Sequence, residues 1–240
     1  MHDAKPGATQ KILPAFRAAF PLTLPVLAGF LFLGIAYGVL MRGAGAHVGW
    51  IFFTSYMVFA GSMQYLAIGF LAMPFDPLYA FVLTLMVNAR HIFYGLSILD
   101  KLAAAKRFRP YIVLMLCDET FSILSSNDAP EGVDTGWFMF IVALLNRWYW
   151  VLGSVLGGVL GDILPFDTRG LDFALTALFT VIFAENWLDR KNRPSAAIGV
   201  ATSFICLLIF GSNFIIPAMI LMLIVFALVP RRFTGEEALS

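Results

Sequence analysis

The sequence predicts an all-α polytopic membrane protein, a helical bundle with broken or re-entrant segments and an internal repeat. Three observations carry this. First, 60% of the residues are hydrophobic and only 13% charged, with a mean hydropathy of +0.84; a soluble domain carries about 25% charged residues. Second, the apolar runs are continuous and long enough to cross a hydrocarbon core about 30 Å thick, where a β-barrel would show short alternating strands. Third, ionisable residues sit inside those runs, which in lipid demands partners or a wet cavity. The net charge of +1, with no basic tract, offers nothing to nucleic acid. Cys117 and Cys206 both lie in apolar runs and read as neither a disulfide nor metal ligands.

Residues 1–11 form a polar tail without the apolar core of a signal peptide, so nothing is expected to be removed. From Ile12 to Met41 the chain is apolar, with Pro14, Pro21 and Pro25 early and Arg17 near its start. This suggests an interfacial helix bending into a span. The segment 48–73 is interrupted by Phe59-Ala60-Gly61-Ser62-Met63-Gln64, where small residues permit close backbone approach. Pro74-Phe75-Asp76-Pro77 then reads as a turn. The run 78–99 crosses, carrying Asn88, Arg90, His91 and Tyr94. A basic loop, 100–109, precedes a span at 110–125 containing Asp118 and Glu119. The loop 126–135 is acidic. Residues 136–164 are apolar but hold Asn146, Arg147, Trp148, Tyr149 and Trp150. After a second turn, Pro165-Phe166-Asp167, residues 171–188 span and end at Glu185 and Asn186. The loop 189–193 is basic, and two further apolar segments follow at 195–211 and 213–229.

Four landmarks recur in order at one nearly constant offset. Phe16-Arg17 returns as Phe108-Arg109, Gly61-Ser62 as Gly153-Ser154, Pro74-Phe75-Asp76 as Pro165-Phe166-Asp167, and Phe81-x-Leu83-Thr84 as Phe173-x-Leu175-Thr176. This predicts one transmembrane domain, 1–240, made of a repeat at about 12–100, a second at about 104–190, and two extra helices at about 195–229. Basic loop residues segregate best to one side if 48–73 and 136–164 each fold back or otherwise cross an even number of times. Parallel repeats follow from that reading. Both basic loops and both termini are then cytoplasmic, and the acidic loop 126–135 is on the other side. Inverted repeats remain the alternative.

Arg90, Asp118, Glu119 and Arg147 would each cost about 2.5–3.5 kcal/mol at the centre of a span. They are expected to face the bundle interior, either as internal ion pairs fixing register or as a substrate or ion pathway. Trp148, Tyr149 and Trp150 read either as an interfacial belt with Arg147 snorkelling or as part of the interior. Ser62 and Gln64 are either interhelical glue or a cradle at a helix break, whose free N–H groups suit a carboxylate. Asn88 and Tyr94 share that ambiguity. His91 is either a buried, satisfied histidine or a proton carrier. Asp76 and Asp167 are most simply turn residues. No Gly-x-Ser-x-Gly, His-Glu-x-x-His or P-loop pattern occurs, so no enzyme activity and no cofactor are expected. Transport would then run on a gradient or on a separate subunit.

Several of these segments together resemble the AzlC family of branched-chain amino acid exporters. They are Phe59-Ala60-Gly61-Ser62-Met63-Gln64, Arg90-His91-Ile92-Phe93-Tyr94-Gly95, Asp118-Glu119-Thr120-Phe121, Trp150-Val151-Leu152-Gly153 with Gly157, and Phe173-Ala174-Leu175-Thr176-Ala177-Leu178-Phe179. The resemblance covers about residues 12–230, and departs from the family's pattern at Thr176, where proline is usual. It implies efflux of valine, leucine and isoleucine, with methionine a further candidate. It also implies a small AzlD-type membrane subunit as partner and a bacterial cytoplasmic membrane as location. On that premise the substrate-binding set is Ser62, Gln64, Asn88, Arg90, Tyr94, Asp118, Glu119 and Asn146, with Arg147 added on the physics of a charge within an apolar run alone. Arg90 and the Gln64 helix break would take the carboxylate and Asp118 or Glu119 the ammonium, with His91, Asp118 and Glu119 available for proton coupling. A channel or facilitator for another small solute, and a non-transporting scaffold, are the rival expectations.

Overall fold

The computed structural model describes residues 8–71, 74, 76–163, 173, 176–177, 180, 183–184, 187–188, 190, 193–211 and 214–228. The Pro165-Phe166-Asp167 turn, Glu185, Asn186, most of the 189–193 loop and both chain termini lie outside them. Among the described residues there is no strand. Among the described residues three helices are long and apolar enough to cross a membrane: Lys11–Gly43, Thr135–Ile163 and Arg193–Phe210. The chain is a helical membrane protein, and it forms two compact units, residues 1–80 with 87–172 and residues 81–86 with 173–240.

The first unit is framed by α1 (Ala8–Gly43) and α9 (Thr135–Ile163). Helix α1 runs unbroken through Pro14, Pro21 and Pro25, so no separate interfacial helix precedes it. The Thr23 hydroxyl donates to the Phe20 carbonyl at 2.9 Å, inside the stretch these prolines disturb. The two helices run in the same direction. Lys11 meets Asp134 at 2.9 Å, Thr23 meets the Tyr149 hydroxyl at 3.1 Å, and Arg42 pairs with Asp162. Glycines set their separation. A β-carbon on Gly34 would come 2.9 Å from the Ser154 nitrogen, one on Gly153 would come 2.8 Å from the Phe30 carbonyl oxygen, and those on Gly38 and Gly157 would strike the carbonyls of Ser154 and Ile35. The backbones are therefore in direct contact, as small residues allow between membrane helices.

Helix α9 is one continuous helix of 29 residues, roughly 43 Å long. The expected fold-back within 136–164 does not occur. Its polar residues need no break, because Asn146 and Arg147 each donate one hydrogen bond to a neighbouring helix, and its glycines serve the seam with α1. Gly153-Ser154 thus lies within an unbroken helix, whereas Gly61-Ser62 begins one.

The segment 48–73 does break. Helix α2 (Val48–Met57) runs back along α1, with the Tyr37 hydroxyl 3.0 Å from that of Thr54 and Phe59 edge-on to Phe30. The chain then turns at 58–60, with Phe59 at a positive φ of 43°. A straight continuation would carry Tyr65 about 9 Å further. Instead, in α3 (Gly61–Phe70), its hydroxyl donates to the Leu33 carbonyl at 2.6 Å, back toward the Arg42 end.

Helices α4 (Pro77–Asn88), α5 (Arg90–Ser97) and α6 (Leu99–Ala104) follow, then a 3₁₀ turn at Lys106–Phe108. Residues 81–86 of α4 count with the second unit. The expected 110–125 span is instead a second hairpin. Helix α7 (Arg109–Leu114) enters beside the start of α9, where Phe108 packs 4.5 Å from Trp137. The chain turns at 115–117, Cys117 being fully extended, and α8 (Asp118–Ser126) returns. Asp118 and Glu119 in the first turn of α8 suit the positive end of its dipole, which is why a new helix starts there.

This second hairpin overturns the expected sidedness. Lys101 pairs with Asp128 at 2.8 Å and donates to the carbonyls of Leu124 and Ser125. The basic loop 100–109 and the acidic loop 126–135 therefore sit at the same end of the unit, with Lys11. The parallel-repeat arrangement, which required opposite sides and a broken 136–164, fails with it. The two hairpins instead enter from opposite ends.

In the second unit α10 (Arg193–Phe210) packs on α11 (Ile215–Leu228) through Gly199 and Met222. The turn between them opens at Gly211, where φ is +56°. Arg193 donates to the Trp187 carbonyl at 2.8 Å.

Candidate functional site

The two hairpin tips are joined by one side chain. Arg90, the first residue of α5, donates from Nη2 to the Ser62 hydroxyl at 3.0 Å. Its Nη1 lies 3.0 Å from Asp118 Oδ2. Arg90 thus links the start of α3 to the start of α8. Arg90 and Asp118 thus meet as an internal ion pair, and α8 runs alongside α5 in the same direction. Tyr94 stacks on Phe121 one turn further along, at 4.6 Å.

The first tip is tied to α9. Gln64 Oε1 accepts from the Ala60 amide at 3.3 Å and from Trp150 Nε1 at 3.0 Å. Gly61 lies against the Trp150 ring, where a β-carbon would make a tight contact at 3.3 Å. Arg147 donates to the Tyr56 carbonyl, an acceptor freed because the Ala60 amide bonds Gln64 instead. Its guanidinium lies 4.2 Å from the Tyr56 ring centroid. A cation at the C-terminal end of α2 is favourable in itself. Arg147 is 8% exposed, so it does not snorkel. Tyr149 and Trp150 are buried, and only Trp148 reaches the surface, so the aromatic-belt reading fits that residue alone.

The second tip is tied to α9 through Thr120. The fully buried Asn146 donates from Nδ2 to Thr120 Oγ1 at 3.1 Å, and Cys117 Sγ lies 3.2 Å from the same hydroxyl. Glu119, beside Asp118, has no ion-pair partner among the described residues. His91 Nδ1 lies 3.1 Å from the Asn88 carbonyl. A carbonyl can only accept, so Nδ1 carries the proton.

The structure therefore brings Ser62, Arg90 and Asp118 into direct contact. Gln64, Asn146 and Arg147 flank them through Trp150, Thr120 and Tyr56. Thr120 is a contributor that the sequence marks only by its place in Asp118-Glu119-Thr120-Phe121, and the bond from Trp150, a residue expected in the belt or the interior, to Gln64 is one that no sequence pattern gives.

This polar layer is incompletely bonded. Among the described residues, Gln64 Nε2, Arg90 Nε and Arg147 Nε are buried donors without partners, and Asn88 Oδ1, Asp118 Oδ1 and Asn146 Oδ1 are buried acceptors without partners. Each such group costs about 1–3 kcal/mol when left unsatisfied. The N–H groups that open α3 lack intrahelical acceptors as well. The layer thus presents both donors and acceptors that the described residues leave unanswered. Among the described residues no group of three His, Cys, Asp or Glu gathers to hold a metal.

The family model described as AzlC protein matches residues 25–164. The chain is 50% identical over 214 residues to the branched-chain amino acid transport protein AzlC of Bacillus subtilis, covering 89% of this chain and 84% of that one. It is 43% identical over 211 residues to an uncharacterized membrane protein of Haemophilus influenzae, covering 87% and 86%. A similar protein of Helicobacter pylori is 36% identical over 225 residues, covering 93% and 95%. No solved structure matches.

Proposed function

Because the chain belongs to the AzlC protein family, we propose that it exports branched-chain amino acids. Valine, leucine and isoleucine are the substrates, with methionine a further candidate. The chain acts as the large subunit of a gradient-driven, two-component permease in a bacterial cytoplasmic membrane, beside a small AzlD-type subunit. The observation that carries this is Arg90 bridging the two hairpin tips, among orphaned donors and acceptors.

A zwitterion has what that layer lacks. Its carboxylate accepts from Arg90, Gln64 Nε2 and the opening N–H groups of α3. Its ammonium donates to Asp118 or Glu119, and Tyr94, Asn88, Asn146 and Arg147 complete the surround. In this reading the Arg90–Asp118 pair closes the site when no substrate is held and parts to receive one. Glu119, lacking a cation, and His91 are the groups available to carry a proton. Tips entering from opposite ends suit alternating access, in which broken helices meet at the middle of the bilayer.

Lysine and arginine concentrate at the end holding Lys11, Lys101, Lys106, Arg107 and Arg109, against Arg42 at the other. That supports a cytoplasmic position for the Lys11 end. Cysteines placed at Lys106 and Asp128 should then both label from the cytoplasmic side.

Counterflow of labelled leucine in proteoliposomes, with and without the small subunit, tests the function. Saturable counterflow that depends on the subunit is expected. Uncoupled, non-saturating flux would mean a channel, and no flux in either preparation would mean a scaffold. The internal pairing of Arg90 with Asp118 is the feature that speaks for a scaffold.

A further inference from the structure

We propose that a cleft at the Lys11 end binds the phosphate of an anionic phospholipid headgroup. The cleft encloses about 880 Å³ and is lined by Lys11, the 104–108 turn and residues 133–137 at the start of α9. It lies outside the polar layer between the hairpin tips, and it does not depend on the transport reading.

Three cations face this cleft and one carboxylate answers them. Lys11 is engaged by Asp134 at 2.9 Å, and that hydrogen bond holds the Asp134 carboxyl below its ordinary range, so it stays ionised. The Asp134 carboxylate also accepts from the Trp137 amide at 3.1 Å, capping α9. Lys106 and Arg107 have no carboxylate partner among the described residues. The cleft is therefore left with an excess of positive charge.

The local backbone is built to present that charge. Lys106 adopts a φ of +47°, a left-handed conformation that side chains with a β-carbon rarely take. Gly136 allows the turn to pack closely, because a β-carbon there would lie 3.2 Å from the Ala105 carbonyl oxygen. The Arg107 guanidinium is laid against aromatic rings, 4.8 Å from Phe108 and 5.5 Å from Trp137. A planar guanidinium held in this way offers its donors to a tetrahedral anion.

What makes the anion a lipid is the surface beside it. Helix α7 begins at the cleft and exposes Tyr111, Val113 and Leu114, an apolar face that acyl chains would cover. Phe108, Trp137 and Phe140 form the aromatic cluster expected at headgroup level. A basic pocket at that level is the chemistry that holds anionic headgroups.

The full-length protein in neutral detergent, with phosphatidylglycerol, phosphatidylcholine or inorganic phosphate added, gives the test. Bound lipid is counted by native mass spectrometry and stability by thermal melting. We expect one phosphatidylglycerol to be retained at least tenfold over phosphatidylcholine. The variant Lys106→Gln/Arg107→Gln should lose that preference, and phosphate alone should leave melting unchanged. Comparing the two lipids on the unaltered protein tests the proposal even if the variant does not fold. Equal retention of both lipids, retention of the preference by a folded variant, or a melting shift with phosphate alone would each overturn it.

Discussion

The α1–α9 seam and the layer of hairpin tips belong to the same helical unit and are built in opposite ways. At the seam, glycines bring two backbones together along parallel helices, and a β-carbon on Gly38 or Gly157 would meet main-chain carbonyls. Nothing in it has room to move. At the tips, helices stop short of crossing, and polar atoms on Gln64, Arg90, Asp118 and Asn146 lack partners. A frame without slack holds a layer that is unfinished until something enters. The lesson is that rigidity and reactivity are assigned to different residues here, so each can be attacked separately.

The seam should give the largest effects. Gly38→Leu or Gly157→Leu should abolish folded protein, and Gly→Ala at either position should cost about 1–3 kcal/mol or more by overpacking. Monodisperse yield in detergent measures the first and thermal melting the second. A stable Gly38→Leu protein would mean that the helices are not in backbone contact.

Next come the central charges. Arg90→Ala and Asp118→Ala should each end export and lower the protein level, because each leaves the other charge, about one-third exposed, without its partner in a membrane segment. Gln64 and Trp150 sharpen the comparison at a smaller scale. Trp150→Phe removes one hydrogen bond to Gln64 and should cost about 0.5–1.5 kcal/mol, with a larger loss of transport than of stability. Equal losses would place Trp150 with the frame.

The smallest effect belongs to the ion pairs at the ends. Lys11→Met should cost less than about 1 kcal/mol, as exposed pairs do. The Asp134 carboxyl is held below its ordinary range, first by the hydrogen bond from Lys11. Its contribution is full above the unfolded value of roughly 4 and is lost as pH falls through the folded value. The melting difference between the unaltered protein and Lys11→Met should therefore close below about pH 4.

The sequence made the helical membrane class plain, along with a break near Phe59 and the presence of charges inside apolar runs, because composition and charge placement are local properties. Sidedness was not legible. Positive-inside counting placed loops 100–109 and 126–135 apart, yet Lys101 pairs with Asp128, since the chain turns at Cys117 within a run that looks like one span. The sequence reads Asp118 and Glu119 as register-fixing ion pairs or a pathway within one span, when they also open a helix. Nor did the unbroken α9 show itself, because the fold-back expected in 136–164 rests on the same charge counting, whereas Asn146 and Arg147 bond Thr120 and the Tyr56 carbonyl from one continuous helix. The glycine seam depends on register between two distant helices, which no local pattern states.

The substrate layer is tested most directly by Arg90→Ala/Asp118→Ala, assayed for labelled leucine counterflow per unit of folded protein. Removing both charges leaves neither unpaired, so protein level should recover relative to the single variants while counterflow stays absent. Normal counterflow by the double variant would show that the pair is structural and that leucine binds elsewhere.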